Sequence, residues 1–403
     1  MERIRSLFRW SFLSAGFLLL LLNGCASPGR NLVGPTTMQI AQSPYPSEEL
    51  LSVGIEIFDA GNVDPKELEK QHSSQQIRDT EVQFMPYHLK TTLEQSGFWG
   101  EVRVVPKGAQ GLDVMVKGKV LESHGEELAL DVYVEDAQGY VWIDRIYRDR
   151  LAKADYEQIV IGKRGPFQNI YNAIANDIAT VRRRMDPLAV KQLRRTTQLL
   201  FAAELVPGAY EDYVVENEQG KLEVVRLPAE DDPLWQRVNQ ISVRNAMFFD
   251  ALNNTYDPFY RKMWAPYVDW RRYNLVEQVS IREARGESIK QAVAGLAMIA
   301  AAVLLEVYDV DDASTIRDVL IIGGTQVVIN GVNISQRADI HRETLKELSD
   351  SFSSDAKTVL IELEGQTVAL TGTVVQQMAQ WQELLRKMYQ EEQTFPDTDL
   401  SDE

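Results

Sequence analysis

The chain runs to 403 residues, with 42 Lys and Arg against 59 Asp and Glu, a formal net charge of −17 and a single cysteine. So acidic a balance argues against nucleic acid as a partner, since phosphate binding needs a basic footprint, and against broad electrostatic docking on anionic lipid. One cysteine rules out a disulfide within the chain, so stability must come from packing, and the length leaves room for two or three domains.

In chain order the first element has the plan of a signal peptide over residues 1–24. Arg3, Arg5 and Arg9 give a positive start, and the apolar run Phe12–Leu22 is broken only by Ser14 and Gly16. That run falls short of the roughly 20 apolar residues that span a bilayer. It ends in Leu22-Asn23-Gly24-Cys25, which resembles the lipobox of bacterial lipoproteins, with Asn23 as its least usual member. The resemblance implies lipidation of the Cys25 thiol, cleavage before it and acylation of the new amino terminus. Ala26 lacks the aspartate that retains Gram-negative lipoproteins at the inner membrane. The rule therefore implies the outer membrane, facing the periplasm, and a Gram-positive source would remove that inference. Residues 25–49, rich in Pro and Gly, read as a lipidated tether.

Residues 50–152 read as an α/β interaction domain. Val53, Ile55 and Ile57 alternate as a strand. A helix is expected from Pro86 to Ser96, stopped by Gly97, and Glu101–Val105 forms a short strand. A meander follows over Leu112–Leu121, Leu128–Glu135 and Tyr140–Arg148, with Leu128, Leu130, Val132 and Val134 on one face. The order predicts an α/β sandwich with a mixed sheet, and its polar ends suggest a unit that folds alone. The segments "VGIEIFDAGN", "LEQSGFWGEVRVVP" and "LDVMVKGKVLESHGEELALDVYVEDAQGYVWIDRIYRDRL" resemble a periplasmic domain shared by several envelope proteins. These are the TolB amino-terminal domain, the curli-secretion lipoprotein and the lipoprotein activator of penicillin-binding proteins. The likeness implies a module that binds partner proteins and carries no catalytic residues.

Residues 153–338 are expected to be mainly helical. Phe167, Ile170, Tyr171, Ile174, Ile178 and Val181 recur at helical spacing, and a second helix runs from Pro187 to about Leu205. Residues 210–227 read as a hairpin turning at Gln219-Gly220. Leu234, Val238, Ile241, Phe248 and Leu252 mark a further helix. The apolar segments Ala292–Leu305 and Val319–Val332, at 14 residues each, predict a helical hairpin that is buried in the core or forms an oligomer interface, too short to cross a bilayer. A strand reading of Val319–Ile322 and Val327–Ile329 stays open. Residues 339–390 read as an αββα unit: a helix over Ile340–Phe352, strands Thr358–Leu363 and Thr367–Thr371, and a helix Val374–Tyr389. Its "VLIELEGQTVALTGTVVQQ" is weakly similar to the strand pair of BON domains. Residues 391–403 read as an acidic disordered tail. The whole is α+β.

No catalytic or metal-binding constellation stands out. His72, His88, His124 and His341 lie at no metal-ligand spacing and suit surface or capping positions. Asp309, Asp311 and Asp312 lack the Gly and Glu of a calcium loop, with Ser314 and Leu320 in those places, and fit a helix cap better. The aromatics Phe259, Tyr260, Trp264, Tyr267, Trp270 and Tyr273 could stack on peptidoglycan sugars, but suit a helix's core stripe interrupted by Pro266. Arg182-Arg183-Arg184, with Lys191, Arg194 and Arg195, reads as a solvated helix face or as internal salt bridges to the acidic surface, in preference to a ligand site. The functional expectation is a non-enzymatic accessory or scaffold in cell-envelope assembly or maintenance. It needs no metal or cofactor. It is anchored to the membrane through lipid on Cys25 and has a periplasmic protein partner, with peptidoglycan as a further candidate. The alternatives are an export-channel subunit and a peptidoglycan-active enzyme.

Overall fold

The computed structural model describes residues 32–61, 63–70, 73–305, 359–363 and 366–394. Five strands form one mixed sheet in the order β2-β1-β3-β4-β5: β1 Val53–Glu56, β2 Val102–Val105, β3 Val114–Ser123, β4 Glu127–Asp136 and β5 Val141–Arg150. β1 runs parallel to both β2 and β3, and the remaining pairings are antiparallel. Alternation sends Val53, Ile55, Val114, Val116, Leu128, Leu130, Val132 and Val134 to one face, where all are buried. Two helices cover that face. After the short α1 (Pro65–Lys70), α2 spans Gln75–Ser96, and after the one-turn α3 (Lys153–Tyr156), α4 spans Gln168–Arg182. They contribute Met85, Leu89 and Leu93, and Ile170, Ile174 and Ile178, to the same core.

The fold is α+β, with an α/β sandwich at its heart, but several boundaries differ from those expected. α2 begins eleven residues before Pro86: Ser74 caps it by accepting from the Ile77 amide at 3.3 Å, and Gly97, at φ 71°, closes it. Its first turns hid from the apolar pattern because Arg78 and Glu81 are buried there. The segment from Val33 onward is not a free tether. The Val33 amide bonds the Arg148 carbonyl at 2.8 Å, along β5, and the Ala41 amide bonds that of Ser96. Tyr45 packs on Phe98 at 6.2 Å and under the Arg182 guanidinium at 4.5 Å. Polar and aromatic side chains thus hold this strap where the Pro-rich composition suggested loose chain.

The division at residue 152 does not fall at a gap in packing either, because α4 belongs to the sandwich core. α5 (Pro187–Leu205) is opened by Asp186, whose carboxylate accepts from the Ala189 amide at 2.8 Å. The one-turn α6 (Pro207–Tyr210) and a small hairpin, β6 Val214–Glu216 with β7 Leu222–Val224, lead to α7, one helix of 73 residues over Pro233–Leu305. It passes through Pro258 and Pro266 without the expected interruption. A proline inside a helix costs roughly 3 kcal/mol; the burial of Tyr256, Phe259, Met263, Trp264 and Tyr267 around both prolines offsets it. α7 lies on the outer side of α2, where Ile77, Phe84 and Tyr87 form a second core with it. Ala292–Leu305 is the C-terminal part of this same helix, while Val319–Val332, the Asp309–Asp312 cluster, Ile340–Phe352, His72 and His341 lie outside the described residues.

At the carboxyl end β8 (Val359–Leu363) and β9 (Gln366–Leu370) pair antiparallel, and α8 runs over Val374–Thr394. The helix therefore extends four residues into the stretch read as a disordered tail. Trp381 is fully buried, stacked on Phe248 of α7 with centroids 5.0 Å apart, and its indole N–H donates to Asn245 at 3.1 Å. The last unit is thus built into the second core. Among the described residues no helix is long and apolar enough to cross a membrane.

Candidate functional site

Among the described residues a groove of about 540 Å³ lies between α2 and the middle of α7, and Gly162 of the loop before α4 also lines it. Helical spacing supplies its walls: Lys90, Thr91 and Glu94 on α2, and Asn253, Asn254, Asp257, Tyr260, Arg261 and Trp264 on α7. The rim is charged. Lys90 pairs with Glu94 and Arg261 with Asp257, each at 2.7 Å and one helical turn apart. Pro258 has no N–H to offer the Asn254 carbonyl, so an acceptor is left without its helical donor on the groove wall. Tyr260 and Trp264 form the floor, edge to face at 5.4 Å, both almost wholly buried.

Beneath the floor sits His88, which is fully enclosed rather than at the surface or in a cap. Its Nε2 lies 2.9 Å from Gln168 Oε1 and its Nδ1 lies 2.9 Å from the Tyr260 hydroxyl. The Gln168 oxygen can only accept, so Nε2 carries the proton and Nδ1 accepts from Tyr260. Burial lowers the imidazole from its ordinary value to about 4. Gly165 is what permits this closeness, since a Cβ there would stand 2.8 Å from His88 Cε1. The chain of bonds continues outward. Gln168 Nε2 donates to Thr92 and to Asn172 Oδ1, and Asn172 Nδ2 donates to the Thr36 carbonyl at 2.8 Å. The groove floor is thereby connected through α2 and α4 to the amino-terminal strap.

A second polar cluster lies further along the same helix pair. Arg271 of α7, fully buried, reaches Glu81 at 2.8 Å, Ser123 at 2.5 Å and the His124 carbonyl at 2.7 Å. The Tyr267 hydroxyl donates to the same Glu81 oxygen at 3.2 Å. Arg78, also buried, has Glu81 at 3.9 Å and no hydrogen-bond partner for its guanidinium nitrogens among the described residues. His124 does act at a turn, its Nδ1 accepting from the Glu126 and Glu127 amides at 3.2 Å. With Arg148 it holds the Glu122 carboxyl down at about 2.

Of the residues singled out by sequence, Tyr260 and Trp264 enter the groove floor, and Phe259, Tyr267 and Trp270 are core, as a helix stripe implies. Arg182 is not solvated: it is buried, bonding the Glu49 carbonyl at 2.7 Å, and Arg194 bonds that of Glu48. Arg182 and Arg194 therefore fasten the strap, while Arg183, Arg184 and Lys191 are exposed, as a solvated face implies. Asn253, Asn254 and the two rim ion pairs were missed, and His88 lies enclosed where a surface or capping position was expected. Asn253 gave one usable signal, a buried amide on an otherwise apolar stripe. It donates to the Val104 carbonyl and accepts from the Val104 amide, taking the place of a neighbouring strand along β2. Cys25 lies outside the described residues. No group of three or more potential metal-ligating side chains occurs among the described residues. No protein-family model, curated protein or solved structure matches the chain.

Proposed function

We propose that this protein is an outer-membrane lipoprotein, acylated on Cys25 and facing the periplasm, that serves as a non-enzymatic accessory or scaffold in cell-envelope assembly or maintenance. Its partner is held in the groove between α2 and α7. The observation that carries this reading is the groove's chemistry. Each charged rim group is already taken by an opposite charge on its own helix, and the buried imidazole is sealed under Tyr260. What remains available is the Asn254 amide and a backbone acceptor over an aromatic floor, which suit recognition of an extended peptide. A second reading, a peptidoglycan-active enzyme, has Glu94 and Asp257 in the same groove in its favour, since glycan hydrolysis uses two carboxyl groups.

Two measurements test the proposal. Metabolic labelling with a fatty-acid analogue should mark the wild-type chain and leave Cys25→Ser unlabelled; equal labelling removes the lipoprotein reading. A photo-crosslinking residue at Asn254 should trap a discrete partner in intact envelopes, while the same residue at Leu188, which is 64% exposed at the start of α5, should not. Equal yields at both positions would reject the groove as the binding surface. Turnover of purified peptidoglycan that is lost in Asp257→Asn would favour the enzyme instead.

A further inference from the structure

Between α3 and α4 the chain makes a tight turn. The Lys163 and Arg164 amides donate to the Val160 carbonyl at 2.9 and 2.8 Å, and the Val160 amide donates back to Arg164 at 3.0 Å. Gly162, at φ 79°, supplies the left-handed residue the reversal needs. The tip carries two aliphatic side chains, Val160 and Ile161, 52% and 59% exposed, where turns ordinarily carry Gly, Asn, Asp or Ser. Lys163 and Arg164 beside them are exposed and pair with no carboxylate among the described residues; Glu157 at the base of the loop is the nearest acid in sequence. Single exposed aliphatics are commonplace, so exposure alone decides nothing.

Position supplies the second observation. The strap meets α4 at its first turns, where the Thr36 amide donates to Asn169 Oδ1 at 3.1 Å, and it reaches Asn176 further along at Gln39. The chain therefore enters the body at the end of α4 that directly follows the Val160–Arg164 turn. Cys25 precedes Val33 by eight residues, a reach of at most about 28 Å even when fully extended. A lipid on Cys25 would thus keep this end of the body close to the bilayer, with two aliphatics and two exposed cations projecting from it.

We propose that the Val160–Arg164 turn is a second membrane contact. Val160 and Ile161 enter the interfacial layer of an anionic phospholipid bilayer, and Lys163 and Arg164 bind lipid phosphates. The inference rests on acylation of Cys25 for its geometry, and it explains how a chain with net charge −17 approaches such a surface: locally, through one basic tip. An interfacial apolar contact joined to basic residues strengthens an anchor that acyl chains begin.

The test replaces acylation, so that its failure is separable from failure of the lipoprotein reading. The chain from residue 26 onward, with an amino-terminal hexahistidine tag, is recruited to vesicles of phosphatidylglycerol and phosphatidylcholine containing a nickel-chelating lipid. An environment-sensitive fluorophore is placed at Ile161→Cys or, as control, at Leu188→Cys beyond the opposite end of α4. Emission should rise at least twofold and shift to the blue at position 161, and stay unchanged at 188. Val160→Asp with Lys163→Glu should abolish the response while the thermal transition is retained. Pure phosphatidylcholine vesicles should weaken the response severalfold. Unchanged emission at 161, or equal changes at 161 and 188, would overturn the proposal. A response that appears without vesicles as concentration rises would assign the turn to a second copy of the chain and overturn it equally.

Discussion

The pairing of α2 with α7 makes two environments from the same residue types. At one end Glu81 and Arg271 are fully buried; at the other Lys90, Glu94, Asp257 and Arg261 line an open groove. What differs is the neighbour beyond the helices. At the sealed end the turn between β3 and β4 is pressed onto α7. The Gly125 amide donates to Asn274 at 2.7 Å, its carbonyl accepts from Tyr156 at 2.5 Å, and a Cβ on Gly125 would come 2.2 Å from the Leu275 nitrogen. At the open end β2 meets α7 through Asn253, and the Gly162 turn lines the groove without covering it. Charge content therefore did not decide which end stayed open; a glycine that lets one turn close did.

The largest test of that comparison removes α7 altogether. Residues 50–152 alone would expose Ile77, Phe84, Tyr87, Val104 and Val105, which are buried in the second core, and would lose Ile170, Ile174 and Ile178 of α4 from the first. At about 1.5–3 kcal/mol for each large apolar side chain, the loss over these eight is about 12–24 kcal/mol, enough to cancel the roughly 5–15 kcal/mol by which a domain is usually stable. The fragment is expected to show no cooperative thermal transition by circular dichroism. A single sharp transition would instead restore the independent unit suggested by its strand pattern.

That expectation shows where sequence was legible and where it was not. The meander, α4, α5 and the β8–β9–α8 order could be read because each buries one face and keeps a clear period, and the β6–β7 hairpin because Gln219-Gly220 marks its turn. α2 and α7 could not be delimited. α2 is buried on two sides, so Arg78, Glu81 and His88 interrupt its apolar pattern while being satisfied, or enclosed, by residues nearly two hundred positions away. Pro266 reads as a break because the packing partners of its helix on α2 are equally remote. The groove was half visible: Tyr260 and Trp264 stood out as aromatics, but nothing local marks Lys90 or Asn254 as their neighbours.

A smaller effect sharpens the contrast between the two ends. Glu81→Ala leaves Arg271 and Arg78 buried without a counter-charge, and breaking a buried pair from one side costs about 3–5 kcal/mol. Urea unfolding of the full chain should show a matching fall in midpoint. Glu94→Ala at the open end, where the partner Lys90 can turn to solvent, should change stability by about 0.5 kcal/mol or less. Comparable losses at both positions would mean that the two ends differ less in solvent access than their geometry implies.

The last test falls on His88, which lies between the two ends and beneath the groove floor. An unfolded chain binds a proton on this imidazole as the pH drops below about 6.5, whereas burial holds the folded state neutral down to about 4. Because the unfolded state binds more protons across that window, stability is fully present above it and falls as the pH passes through it, by up to about 3 kcal/mol. The hydrogen bonds explain why the folded state resists. A second proton on Nδ1 would face the Tyr260 hydroxyl, which now donates to that atom, and would force it to turn toward the groove. His88→Gln removes the titrating group, so the loss of stability between pH 7 and pH 4.5 should be smaller in the variant than in the wild type. Carboxylates elsewhere contribute equally to both chains and cancel in the difference. Identical acid profiles would show that His88 is not sealed, and the floor of the groove would then be open to water from below as well as from above.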